Sequence, residues 1–210
     1  MRKESARIFL WNLIFFLKKS SREALQFALE TYGIVDHHPK ALKENFAKIF
    51  EDEVEAYIHH EVGELKDTDF DREVWREVIA AFPYTVIEFF VRALKDILAD
   101  TNDFGKLRYI IQQRKEASLA LYAAFLDGLR GVLFPELAEA FKAFKETRRW
   151  QPVQEARLSG YRAARERAEQ VTEIYRIGKQ KEDMDWVAKE IEETVLGPLG
   201  LLKWKREEGE

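Results

Sequence analysis

The sequence predicts an all-α protein: a single-domain, multi-helix bundle of about eight to nine helices, two of them long, over about 106–133 and 153–178. Three observations predict it. Apolar residues recur at three- and four-residue spacing along almost the whole chain. The periodic segments are separated by helix-start and helix-stop residues. Strand-like alternation is missing.

With 210 residues, 46% hydrophobic and 34% charged, the chain has enough apolar side chain for one good-sized core. Residues 1–200 read as one helical domain and 201–210 as a charged, frayed tail. A net charge of −4 gives no general attraction for phosphate backbones, so a nucleic-acid role is disfavoured. The absence of cysteine excludes a disulfide framework, Cys-ligated metals and a Cys nucleophile. The expected location is cytoplasmic.

The first helix covers the apolar run Ile8 to Leu17, flanked by Arg2, Lys3 and Arg7 and by Lys18, Lys19 and Arg22. The run is too short to span a bilayer, and no small-residue cleavage site follows it. It reads as a buried helix, ahead of one lying on a membrane surface. Ser20 and Glu23 form a capping box for a second helix that stops near Gly33. Asp36-His37-His38-Pro39 marks the next boundary, with Pro39 suited to a first helical position and the two histidines solvated or capping. The third helix, about 39–66, carries the stripe Phe46, Ile49, Phe50, Val54, Ile58, Val62 and Leu65.

A fourth helix, about 71–82, is capped by Asp69 or Asp71 and ended by Pro83. Thr85 and Glu88 open a fifth, to about Ala99, whose face with Glu88, Arg92, Lys95 and Asp96 reads as solvated. Asp100 to Gly105 reads as a loop. In the long helix over 106–133, Leu107, Ile111, Ser118, Leu121, Tyr122, Phe125, Leu129 and Val132 recur in near-heptad order, with Arg114 in the same seam. Pro135 breaks the chain before a shorter helix over 136–145. Along 153–178, Gly160, Ala164 and Ala168 predict close approach of a neighbour. The basic residues there alternate with Glu155, Glu166 and Glu169 as a solvated face, and Arg157 lies close to the apolar side. A last helix covers about 182–195.

The stretch Tyr57-Ile58-His59-His60-Glu61-Val62-Gly63-Glu64 is the one place where helical phase turns ionisable groups inward. Glu61 falls near the middle of the stripe, Tyr57 beside it, and Glu53, His60 and Glu64 on one shoulder. A carboxylate on an apolar face must be paired, protonated or metal-bound. Pairing with Arg114 is the simplest account, giving an expected structural network of Tyr57, Glu61 and Arg114, with His60 as a further member.

The letters His60-Glu61-Val62-Gly63-Glu64 resemble the His-Asp-hydrophobic-Gly-Lys segment of HD-type phosphohydrolases, with glutamates at the aspartate and lysine positions. That resemblance implies a divalent metal that activates water for phosphoester cleavage, with His37 or His38 as an upstream ligand. The same letters look like the His-Glu-x-x-His motif of zinc peptidases, with Glu64 at the second histidine; the implied chemistry is a metal on one helical face with Glu61 polarising water. Asp67, Asp69 and Asp71 have the opening spacing of an EF-hand loop, but Arg72 stands where its glycine belongs.

The leading reading is a non-catalytic interaction or regulatory module built around the structural network, with a protein partner or self-association. The alternative is a metal-binding protein or metal-dependent hydrolase, with His60, Glu64, Glu61 and Glu53 around a divalent ion and Glu61 as the candidate catalytic group. A membrane surface is disfavoured as a partner.

Overall fold

The computed structural model describes residues 3–15, 22–34, 39–67 and 71–203, and every regular element among them is helical. The helices are α1 (Lys3–Phe15), α2 (Arg22–Thr31), α3 (Pro39–Lys66), α4 (Arg72–Ala81), α5 (Val86–Thr101) and α6 (Lys106–Gln112). They continue with α7 (Glu116–Ala124), α8 (Gly128–Leu133), α9 (Pro135–Thr147), α10 (Gln151–Lys181) and α11 (Met184–Ile191). Beyond α11 the chain widens into a π turn and then tightens into two 3-10 turns ending at Lys203. Ser20, His37, His38, Asp69 and Trp204 lie outside the described residues.

Local chemistry sets the helix ends. The Asp71 carboxylate accepts from the backbone N–H groups of Glu73 and Val74, opening α4. Thr85 Oγ1 accepts from Glu88 N, and Glu88 answers one residue earlier than a standard capping box, at Tyr84 N, 2.6 Å. Gly33 closes the turn after α2 with φ +79°, a conformation that favours glycine.

Helix α5 is the centre of the molecule. Phe90, Leu94 and Ile97 are buried, each contributing about 1.5–3 kcal/mol of hydrophobic stabilisation. Helices α3, α4, α6, α8 and α10 all pack against α5, α2 lies on α7, and α10 also runs along α9 and α11. Gly160 in α10 leaves room for the Phe134 ring, where a Cβ would overlap it. Helix α1 rests on α3 through buried Leu10 and Ile14, with Trp11 edge-on to Phe46 at 5.0 Å. Ile8 and Phe9 stay exposed, so α1 is only half covered. Among the described residues, no helix is long and apolar enough to cross a membrane.

Two expectations are corrected. The segment 106–133 is three helices. Polar Gln112 and Gln113 end α6, Arg114 takes a left-handed φ of 51°, and Lys115 N closes on Ile110 O at 3.0 Å. Helical phase is therefore lost between Ile111 and Ser118, and Arg114 is exposed at the turn. The face of α3 also rotates after Val54: Ile58 and Leu65 are 54% and 67% exposed, while Glu53, Ala56, Tyr57 and Gly63 are buried. The cause is the crossing with α5. Gly63 lies against the Ala99 carbonyl, where any Cβ would overlap the oxygen. Only the glycine face of α3 can approach α5 so closely, and the residues in phase with it follow inward.

Gly105 meets the same Ala99 carbonyl. Arg157, buried in α10, donates from Nη1 to the carbonyls of Thr101 (2.5 Å) and Asn102 (3.1 Å) and from Nη2 to Asp103 Oδ1 at 3.2 Å. It thereby satisfies carbonyls that a helix end leaves without partners and places a cation at the negative end of α5. Asn102 Nδ2 donates to Gly63 O at 2.9 Å. The α5–α6 corner is thus held from three directions. Asp100 and Thr101, read from composition as loop, form the last turn of α5.

Candidate acid–base cavity

A cavity of about 200 Å³ opens between α1, α3, α5, α6, α7 and α8. Phe9 and Leu13 of α1 and Phe125 and Leu126 after α7 form its apolar walls. Its polar side is made by Tyr57, His60 and Glu61 from α3, Asp96 and Asp100 from α5, Lys106 from α6, Tyr122 from α7 and Arg130 from α8. The α3 rotation imposed by Gly63 is what brings Tyr57 and His60 to this cavity.

Asp100 is the buried anchor. His60 Nδ1 lies 2.8 Å from Asp100 Oδ1, and Tyr122 Oη donates to Asp100 Oδ2 at 2.9 Å. With Nδ1 engaged, Nε2 is the imidazole nitrogen left to receive or deliver a proton. Burial opposes charge on His60, but the Asp100 carboxylate and its hydrogen bond outweigh it and raise the imidazole pKa. Burial likewise opposes ionisation of Asp100; the charge and hydrogen bond of His60, then Lys106 and Arg130, outweigh it and lower the carboxyl pKa. Asp96 moves the other way, raised by burial and by the Asp100 charge. Burial and Asp100 also hold the Tyr122 hydroxyl well above its usual range.

Lys106 is the least expected member. Its side chain is buried, its Nζ sits 4.1 Å from the Tyr57 ring centre, and it makes no hydrogen bond or contact ion pair with any described residue. Burial lowers its pKa, with Glu53 and Asp100 partly opposing. Arg130 donates from Nη2 to the Phe125 carbonyl at 2.7 Å and likewise has no contact ion pair with a described residue. The cavity therefore presents two cations whose counter-charges among the described residues are nearby but not in contact.

The expected site residues are distributed differently. Tyr57, His60 and Glu61 line the cavity together, whereas Arg114 opens onto a separate groove with Tyr32, Asp52 and Lys115. The expected Glu61–Arg114 pairing is replaced, as the buried ion pair of the fold, by His60 with Asp100. The broken helix over 106–133 is the reason. The expected metal set does not converge either. Glu64 pairs with Lys95 at 3.1 Å, and Glu53 accepts from Tyr32 Oη at 2.9 Å and from the Ser118 hydroxyl. His60 is committed to Asp100. No group of three His, Asp or Glu residues positioned for an ion occurs among the described residues. His59 instead stacks on Tyr109, ring centres 4.3 Å apart, and Tyr109 donates to Glu55 at 3.0 Å.

Fold and cavity together define an all-helical protein with an acid–base cluster at an amphiphilic pocket. The chain belongs to a family of unknown function, DUF6866, whose C-terminal domain profile matches residues 7–194. No curated protein and no solved structure matches it.

Proposed function

We propose that the protein binds a small organic anion in this cavity, a molecule with an apolar body and a carboxylate or phosphate. The observation that carries the reading is the meeting of Lys106 and Arg130 in one apolar-walled cavity, neither engaged in a contact ion pair with a described residue. A buried ammonium without a hydrogen-bond partner among the described residues is unfavourable, and a ligand oxygen would relieve it. Arg130 has guanidinium donors left for a planar oxyanion, whereas Lys106 has donors for a second oxygen of the ligand. Phe9, Leu13, Phe125 and Leu126 would exclude water from the rest of the molecule.

This narrows the expected interaction or regulatory module to one that responds to a small molecule. The test is calorimetric titration with a panel of short-chain carboxylates and monophosphates, with amines of matching size as controls. Carboxylates or phosphates should bind saturably and amines should not. Arg130→Met should weaken binding by about tenfold or more, the effect of losing a charge-assisted hydrogen bond, and Arg130→Lys by less. Absence of saturable anion binding, or binding indifferent to Arg130→Met, would overturn the reading.

A further inference from the structure

We propose that Lys106 is an amine nucleophile that condenses with the carbonyl carbon of a small keto- or aldehydo-acid to form an imine. The inference rests on the anion-binding reading and sharpens it: Arg130 takes the carboxylate, and the second oxygen, facing Lys106, is a carbonyl.

Four features of the site support this. First, Nζ belongs to a buried side chain that lines the cavity and makes no hydrogen bond to any described residue. An ammonium there finds no acceptor among the described residues, and burial favours its neutral form, the nucleophile. Second, the groups around it bear out that balance. Glu53 and Asp100 draw it toward the charged form, burial and Arg130 oppose them, and its pKa falls. The ring faces of Tyr57 and Tyr122, the nearer centre at 4.1 Å, act on the same side as Glu53 and Asp100 and favour the ammonium. Third, Arg130 lines the same cavity and offers the carboxylate its guanidinium. Fourth, imine formation needs a proton donor and acceptor beside the amine, and the His60–Asp100 pair lines the same cavity.

The step balances without an oxidant or a further reactant. The amine lone pair adds to the carbonyl carbon as the C=O pair moves onto oxygen. The oxygen gains a proton and the nitrogen loses one, giving a carbinolamine. His60 Nε2 delivers a proton to the carbinolamine hydroxyl, which leaves as water while the nitrogen lone pair forms C=N. The remaining amine proton returns to His60. The sum is amine plus carbonyl giving imine plus water.

The experiment treats the full chain near neutral pH, where ordinary lysines are protonated, with glyoxylate, an aldehyde carrying a carboxylate. Cyanoborohydride then fixes any imine by hydride addition to its carbon. Peptide mass mapping should find the carboxymethyl group chiefly on Lys106, with excess propionate, which cannot form an imine, protecting it. Propionaldehyde, lacking the carboxylate, should label that position at least about tenfold less. Lys106→Arg cannot form an imine; with its fold checked by circular dichroism, it should lose the propionate-protected label and keep only the background on surface lysines. Propionate binding without enrichment of label at Lys106 would overturn the imine and leave the anion reading standing. Loss of both propionate binding and labelling in the folded wild-type protein would overturn both.

Discussion

His60 and Asp100 exchange charge across 2.8 Å, and their opposite pKa shifts define a pH window. His60 is raised above its ordinary value near 6.5, so its contribution to stability is complete below that pH and is lost as pH rises through the folded value. Asp100 is lowered below its ordinary 3.8, so its contribution is present above that pH and is lost as pH falls through the folded value. The pair therefore stabilises most between those limits. Urea unfolding of wild type and His60→Gln across this range should show a difference of about 3 kcal/mol near pH 5, shrinking as pH rises past neutrality. A difference independent of pH would show that His60 is uncharged in the fold. Asp96, raised by burial and the Asp100 charge, loses stability as pH rises through its own window, and because the His60 charge also acts on it, it contributes to the difference between the two proteins. Only the α3 part of this cluster was legible in the sequence. Tyr57, His60 and Glu61 stand out because three polar residues interrupt the inner side of an otherwise regular helix. Asp100 and Lys106 were not legible, because Asp100-Thr101-Asn102-Asp103-Phe104-Gly105 has the composition of a solvated turn. Their burial comes from tertiary packing, which periodicity does not carry.

At the scale of elements, the α3–α5 crossing decides which side of α3 faces in. Gly63→Ala should destabilise the protein by about 2 kcal/mol or more, since the Cβ must displace the Ala99 carbonyl and strain the Asn102 bond to Gly63 O. Urea unfolding measures the loss, and an unchanged midpoint would mean the helices separate without penalty. The boundaries of α3, α4 and α10 were close to their expected places because Pro39, Asp71 and Pro152 are strong local punctuation. The expected long helix over 106–133 failed for a converse reason. Neither a proline nor a glycine interrupts its first half, and Arg114 adopts a left-handed backbone that only the packing of α6 and α7 on different neighbours imposes. The stripe of α3 misled in the same way, since Ile58 and Leu65 match the period but lie opposite the glycine contact.

For the molecule as a whole, α5 is surrounded while α1 rests chiefly on α3. Amide hydrogen exchange should therefore begin in α1 well before α5, whose buried amides should require opening close to global unfolding. Equal protection of the two helices would contradict this hierarchy. Because α1 supplies Phe9 and Leu13, the least protected helix is also a wall of the cavity, and saturating ligand should slow its exchange. The all-helical class was legible because it depends on a pattern repeated along the entire chain, whereas the cavity depends on six separate helices arriving together.

The corner between α5 and α6 has one further consequence. The Ala99 carbonyl lies against two glycines, and the Arg157 and Asn102 side chains tie down the carbonyls of Thr101, Asn102 and Gly63, so Asp100 and Lys106 are spaced by this corner rather than by the walls of the cavity. The apolar walls come from elsewhere in the chain. Wall substitutions can therefore change what fits without disturbing the spacing of the acid and the amine, leaving such a scaffold free to drift in ligand preference while its reactive geometry stays constant.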